Sequence, residues 1–138
     1  DQRMYVSKKA KESTNGIKTT RDGKIDQDIL KEFGINYSEG LNRFKGNYKL
    51  YNDCLNKFLS KDRFSDLSKS IKEDELVKLL YKLYILYDDA SNLALTTLAS
   101  IVLKLIHTIQ DNNEKDEDFI YSSNELISTY SKLIDALK

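Results

Sequence analysis

Between Leu76 and Leu137, leucine, isoleucine, valine and aromatic residues return every three or four positions, broken only by two short polar runs. That spacing places them on one face of a helix, and a chain with no proline and five glycines has few ways to interrupt it. Leu76, Leu79, Leu80, Leu83, Leu86 and Tyr87 make one wide apolar face, and Leu95, Leu98, Val102, Leu105, Ile106 and Ile109 make a second. Ile120, Ile127, Tyr130, Leu133, Ile134 and Leu137 make a third. Upstream, Tyr48, Tyr51, Leu55, Phe58 and Leu59 begin another, which Phe64, Leu67 and Ile71 continue after an expected bend. Asp74 is expected to cap the helix that follows it, the polar patch 88–92 to end that helix, and the acidic run 111–118 to form a loop. Two shorter helical turns come first: Ile29, Leu30 and Phe33 before Gly34, and residues 37–44 before Gly46. Nothing alternates with period two for long enough to be a strand. The expected fold is all-α, an antiparallel four-helix bundle with short N-terminal helices.

A chain of 138 residues predicts one domain, large enough to bury roughly two-thirds of its unfolded surface. Formal net charge is zero, so no global field draws it to nucleic acid or anionic lipid, and no face interleaves basic and aromatic residues. One cysteine, Cys54, excludes an intramolecular disulfide; it reads as a buried, inert position. With a single histidine, a Cys/His zinc site is not expected, and the acidic run lacks the glycine and spacing of a calcium-binding loop. No metal or cofactor is expected, and no catalytic triad or phosphate-cradling glycine loop is present to suggest an enzyme. No apolar run reaches the ~20 residues of a membrane span and no segment reads as a signal peptide, so the cytoplasm is the expected location. Many Lys, Asn, Ile and Tyr residues with no Trp suggest an AT-rich bacterial genome.

Two stretches resemble a known family. Residues 34–59, GINYSEGLNRFKGNYKLYNDCLNKFL, carry Gly34, Ile35, Gly40, Leu41, Arg43, Gly46, Asn47, Leu50, Tyr51, Leu55 and Phe58 at the spacing that opens histidine-containing phosphotransfer (HPt) domains. Residues 83–98, LYILYDDASNLALTTL, resemble the family's active segment A-H-x-L-K-G-x-x-x-N-L-G-x-x-x-L, with Asn92, Leu93, Ala94 and Leu98 in register. The resemblance covers residues 26–138 and implies an HPt-type bundle in two-component phosphorelay signalling. Residues 1–12 are similar to the closing helix of GGDEF (diguanylate cyclase) domains through Asp1, Met4, Tyr5 and Lys8, and imply the end of a preceding domain. The cyclase's own catalytic loop is absent from the chain. Residues 13–25 then read as a basic linker, since the first 24 residues hold seven basic and three acidic side chains.

In that register Tyr84 stands where the family carries its phosphorylated histidine, and Tyr87 and Asp88 stand at its Lys-Gly pair. A phosphoryl carrier needs a nucleophile at neutral pH; imidazole, ionising near ~6.5, is one, whereas a phenol, ionising near ~10, is not without a dedicated base. The cation is lost at Tyr87. At Asp88, with Asp89 beside it, a small residue becomes a carboxylate that repels phosphoryl groups and acidic receiver pockets. The expectation is a degenerate phosphorylation site (Tyr84, Tyr87, Asp88) and a non-enzymatic module whose partner is a protein: a receiver or kinase domain, or the attached cyclase. Tyr81, Tyr84, Tyr87, Asp88 and Asp89 are the candidate docking surface; the alternative is that Tyr81 and Tyr84 merely border the core with their hydroxyls in water. Two further readings stay open: an active phosphorelay protein using His107, the sole histidine, and a structural dimerisation bundle. His107 has no Lys-Gly after it and reads as a partly exposed residue near a helix C-terminus.

Overall fold

The computed structural model describes residues 16–138; the expected GGDEF-like helix at 1–12 lies outside them. All regular structure there is helical, in seven segments. They are α1 (Gln27–Glu32), α2 (Tyr37–Arg43), α3 (Tyr48–Phe58), α4 (Lys61–Glu73), α5 (Leu76–Asn92), α6 (Thr96–Asn112) and α7 (Glu117–Leu137). Helices α4 to α7 form a ring of neighbours, α4 on α5, α5 on α6, α6 on α7 and α7 back on α4. Short connections make sequential helices antiparallel. Lys115, just before α7, reaches the α4 carbonyl of Ile71 at 2.9 Å, while Tyr130, deep in α7, donates its hydroxyl proton to the carbonyl of Phe58 at the end of α3. The fourth side of the bundle is therefore α3 and α4 running opposite to α7.

Local chemistry explains most boundaries. Asp26, Asn36, Asn47, Ser60 and Asp116 each accept a backbone N–H from the first turn of α1, α2, α3, α4 and α7. Asn36 and Glu39 close a reciprocal pair at α2, both contacts at 3.2 Å. Gly34 ends the first turn at φ +60, a conformation disfavoured for residues with a Cβ. The expected bend between Leu59 and Phe64 is a full break, made by Ser60 capping α4. Lys45 also sits at positive φ, +53, with its side chain exposed. Lys45→Gly relieves that strain, about 1 kcal/mol, at a smaller entropic cost in the unfolded chain. A net gain of about 0.5 kcal/mol is expected, read as a higher urea midpoint.

Three expectations change. Asp74 does not cap α5: it ends α4, and its carboxylate turns to Lys82 Nζ at 2.9 Å and Lys78 Nζ at 3.7 Å. Lys82 in turn donates to the buried Ser70 hydroxyl at 2.6 Å, so the polar cluster ties α4 to α5. The acidic run is only half loop, because Asp111 and Asn112 close α6 while Asp116 caps α7 and Glu117 and Asp118 lie in its first turn. Ile120 and Tyr48, expected in the core, are 53% and 42% exposed; Phe119 and Leu126 take the inward positions of α7.

The hydrogen bond from Lys82 holds the Asp74 carboxyl below the usual carboxylate range, and the same bond holds the Lys82 ammonium above the usual lysine range. A depressed carboxyl contributes stability above its unfolded value, near ~4, and loses it as pH falls. The urea midpoint should drop between pH 5 and 3, and Asp74→Asn should flatten that part of the profile while lowering the pH 7 value.

Candidate functional site

The site begins with the phase of α5. Leu79, Leu83, Leu86 and Ala90 point inward and are buried. With those four fixed, the 3.6-residue period turns Val77, Tyr81, Tyr84 and Asp88 outward along the opposite stripe. Val77 and Tyr81 are 68% and 69% exposed, Tyr84 is 40% exposed, and Asp88 is exposed. Ile85, 58% exposed, flanks the stripe on the α4 side, beside Arg63, Asp66 and Lys82. The Tyr84 hydroxyl accepts a hydrogen bond from Nε2 of Gln110 on α6, which fixes the ring over the α5–α6 seam.

The five residues expected as one docking surface fall into three settings. Tyr81, Tyr84 and Asp88 share the outward stripe. Tyr87 is half-buried and packs against the core. Asp89 lies on the α4 flank, where Arg63 Nη2 sits 2.5 Å from its Oδ2 and the same guanidinium rests 4.8 Å over the Phe58 ring. Val77 and Ile85 were missed, although each lies four residues from Tyr81, the helical spacing that would have found them. Gln110 had no sequence signal, since only tertiary packing brings it to Tyr84.

His107 is exposed on α6, one turn from Gln110 and one from Lys104. Lys104 itself stands 5.5 Å over the Tyr121 ring of α7 and 3.7 Å from Glu125. Cys54 is half-buried on α3 against the core. Among the described residues, no three His, Cys, Asp or Glu side chains gather to hold a metal, and no helix is long and apolar enough to cross a membrane.

The two family-like stretches meet in space. The turn between α5 and α6 is bound almost wholly by residues from the N-terminal stretch. Asn36 N–H donates to the Ala94 carbonyl at 2.9 Å, and Thr96 N–H donates to the Gly34 carbonyl at 3.1 Å, around a lone bridge between Ile35 and Leu95. The Tyr51 hydroxyl donates to the Leu93 carbonyl, and the Arg43 guanidinium to the Ser91 carbonyl. Ala94 stands at φ +57, at the position where the family pattern has glycine. The segment 16–25, read as linker, lies along the bundle: Ile25 is buried, Lys18 N–H donates to Leu137 O at 2.6 Å, and Asn52 donates to Gly23 O at 2.7 Å. Comparison with protein-family models, with curated proteins and with solved structures gives no match to this chain.

Proposed function

We propose that this chain is a degenerate HPt domain: a signalling module that docks a receiver or kinase domain, or acts on an attached diguanylate cyclase, by contact alone. It is not an enzyme in this reading, takes no cofactor, and works in the cytoplasm. One observation carries the reading. Tyr84, at the family's phosphorylated position, lies on the outward stripe of α5 with Tyr81 and Asp88, where a partner can reach it. Convergence of the two motif stretches on the α5–α6 turn supports the register that puts Tyr84 there. A phenol at the phosphorylated position can anchor a partner but is a poor nucleophile toward phosphorus without a dedicated base, and the neighbouring carboxylate repels the phosphoryl group.

The test is phosphotransfer from labelled phospho-receiver domains of the same genome. The native chain should stay at background, while the Tyr84→His, Asp88→Gly double variant should take up detectable label. Transfer to the native chain at the rate of ordinary HPt domains would overturn the reading. A second reading, phosphotransfer through His107, is favoured by that side chain's exposure one turn from the Tyr84–Gln110 contact. It requires label on the native chain that His107→Gln abolishes.

A further inference from the structure

The outer face of α5 gathers Val77, Tyr81, Tyr84 and Ile85, and no other described helix covers it. Four large exposed side chains on one helix form a patch, whereas scattered single ones would need no explanation. Its charges are polarised along the helix axis. Lys78, with 69% of its side chain exposed and its Nζ 3.7 Å from Asp74, marks the N-terminal end, and Asp88 marks the C-terminal end. We propose that a second copy of this chain covers this face, the two α5 helices pairing antiparallel about a twofold axis that passes between Tyr81 and Tyr84.

In that arrangement Tyr81 of each copy meets Tyr84 of the other, and Lys78 of each lies beside Asp88 of the other. Parallel pairing would set aspartate against aspartate and lysine against lysine, which like-charge repulsion opposes. The sign pattern is thus self-complementary in one direction only, as an isologous interface requires. Gln110 already holds the Tyr84 ring, so part of the ordering cost is met before association. One 17-residue helix gives a contact of the small class, below about 1,200 Å² in total, so the dimer exchanges with monomer. It also covers the tyrosines proposed to meet a receiver, making self-association and receiver docking mutually exclusive.

Sedimentation velocity of the whole chain from roughly 10 µM to roughly 1 mM tests this. A monomer-to-dimer shift is expected across that range. Tyr81→Asp should weaken association at least about tenfold. Asp88→Lys should weaken it several-fold, and adding Lys78→Asp should restore it. All three side chains are exposed, so unchanged helical circular dichroism will show that each variant is folded. A chain that stays monomeric to about 1 mM, or a dimer indifferent to Tyr81→Asp, would overturn the proposal. So would failure of the charge exchange to restore pairing. A monomer that instead binds a receiver domain through Tyr81 would give the face to a foreign partner.

Discussion

Tyr130→Ala is expected to remove about 4 kcal/mol of folding stability, within the range for truncating a large buried aromatic. Tyr130 is fully buried where α7 crosses the α3–α4 break. Its ring stacks on Phe58 with centroids 5.3 Å apart and meets the edge of Phe64 at 5.6 Å, so one side chain joins both halves of the broken helix to α7. Its hydroxyl also satisfies the Phe58 carbonyl, which the interruption between α3 and α4 leaves without a helical donor. Tyr130→Phe separates the two contributions and should cost only about 1–2 kcal/mol, that of one buried hydrogen bond. The chain has no tryptophan, so urea unfolding is followed by circular dichroism. Equal losses for the two variants would show that the ring packs loosely.

The same tyrosine makes the fold sensitive to alkali. Burial pushes the phenols of Tyr130 and Tyr51 well above the ordinary tyrosine range. A raised group contributes its full stability below its unfolded value, near ~10, and loses it as pH rises toward the folded value. Cooperative unfolding is therefore expected above about pH 10, accompanied by tyrosinate absorbance, and Tyr130→Phe should move its onset upward.

Gly40→Ala is the second large effect, expected to cost about 2–3 kcal/mol although alanine gains about 1 kcal/mol of helix propensity. Gly40 lies inside α2, where alanine would ordinarily be the better residue. A Cβ there would fall within the buried Tyr51 ring, which packs between Tyr37 and Phe44 at 5.3 Å from each and donates to the Leu93 carbonyl. The ring has nowhere to go. Overpacking outweighs propensity because the clash involves a side chain fixed on three sides. In a Tyr51→Leu background the cost of Gly40→Ala should fall below about 1 kcal/mol, a coupling that a double-mutant cycle measures directly. Independence of the two changes would mean that α2 shifts away from α3 as a unit.

Much of this architecture can be read along the chain. The spacing of Leu79, Leu83, Leu86 and Ala90 fixes the phase of α5, and with it the outward stripe of Val77, Tyr81, Tyr84 and Asp88, because a helix offers one solution once its buried positions are known. Capping residues at Asp26, Asn36 and Asn47 and the stop at Gly34 are equally local. Short-range chemistry cannot decide between two apolar residues side by side. Phe119 and Ile120 differ little in hydropathy, and Phe119 goes inward because Asp116 starts α7 and Lys115, 5.7 Å over the Phe119 ring, is anchored on α4.

The same division holds at the candidate site. That Tyr84 faces out and Tyr87 turns to the core follows from the phase of α5; that Asp89 meets Arg63 depends on where α4 lies. Gly34 and Thr96 stand 62 residues apart, and only the closed bundle lets the first stretch bind the turn that follows Asn92. By itself the sequence determined the long helices and their apolar faces, because each depends on neighbours within four residues, whereas the cap expected at Asp74 was lost to Lys82 on the neighbouring helix. Tertiary structure alone decided which flanking side chains stay in water, since burial belongs to the neighbouring helices rather than to the helix that carries the residue.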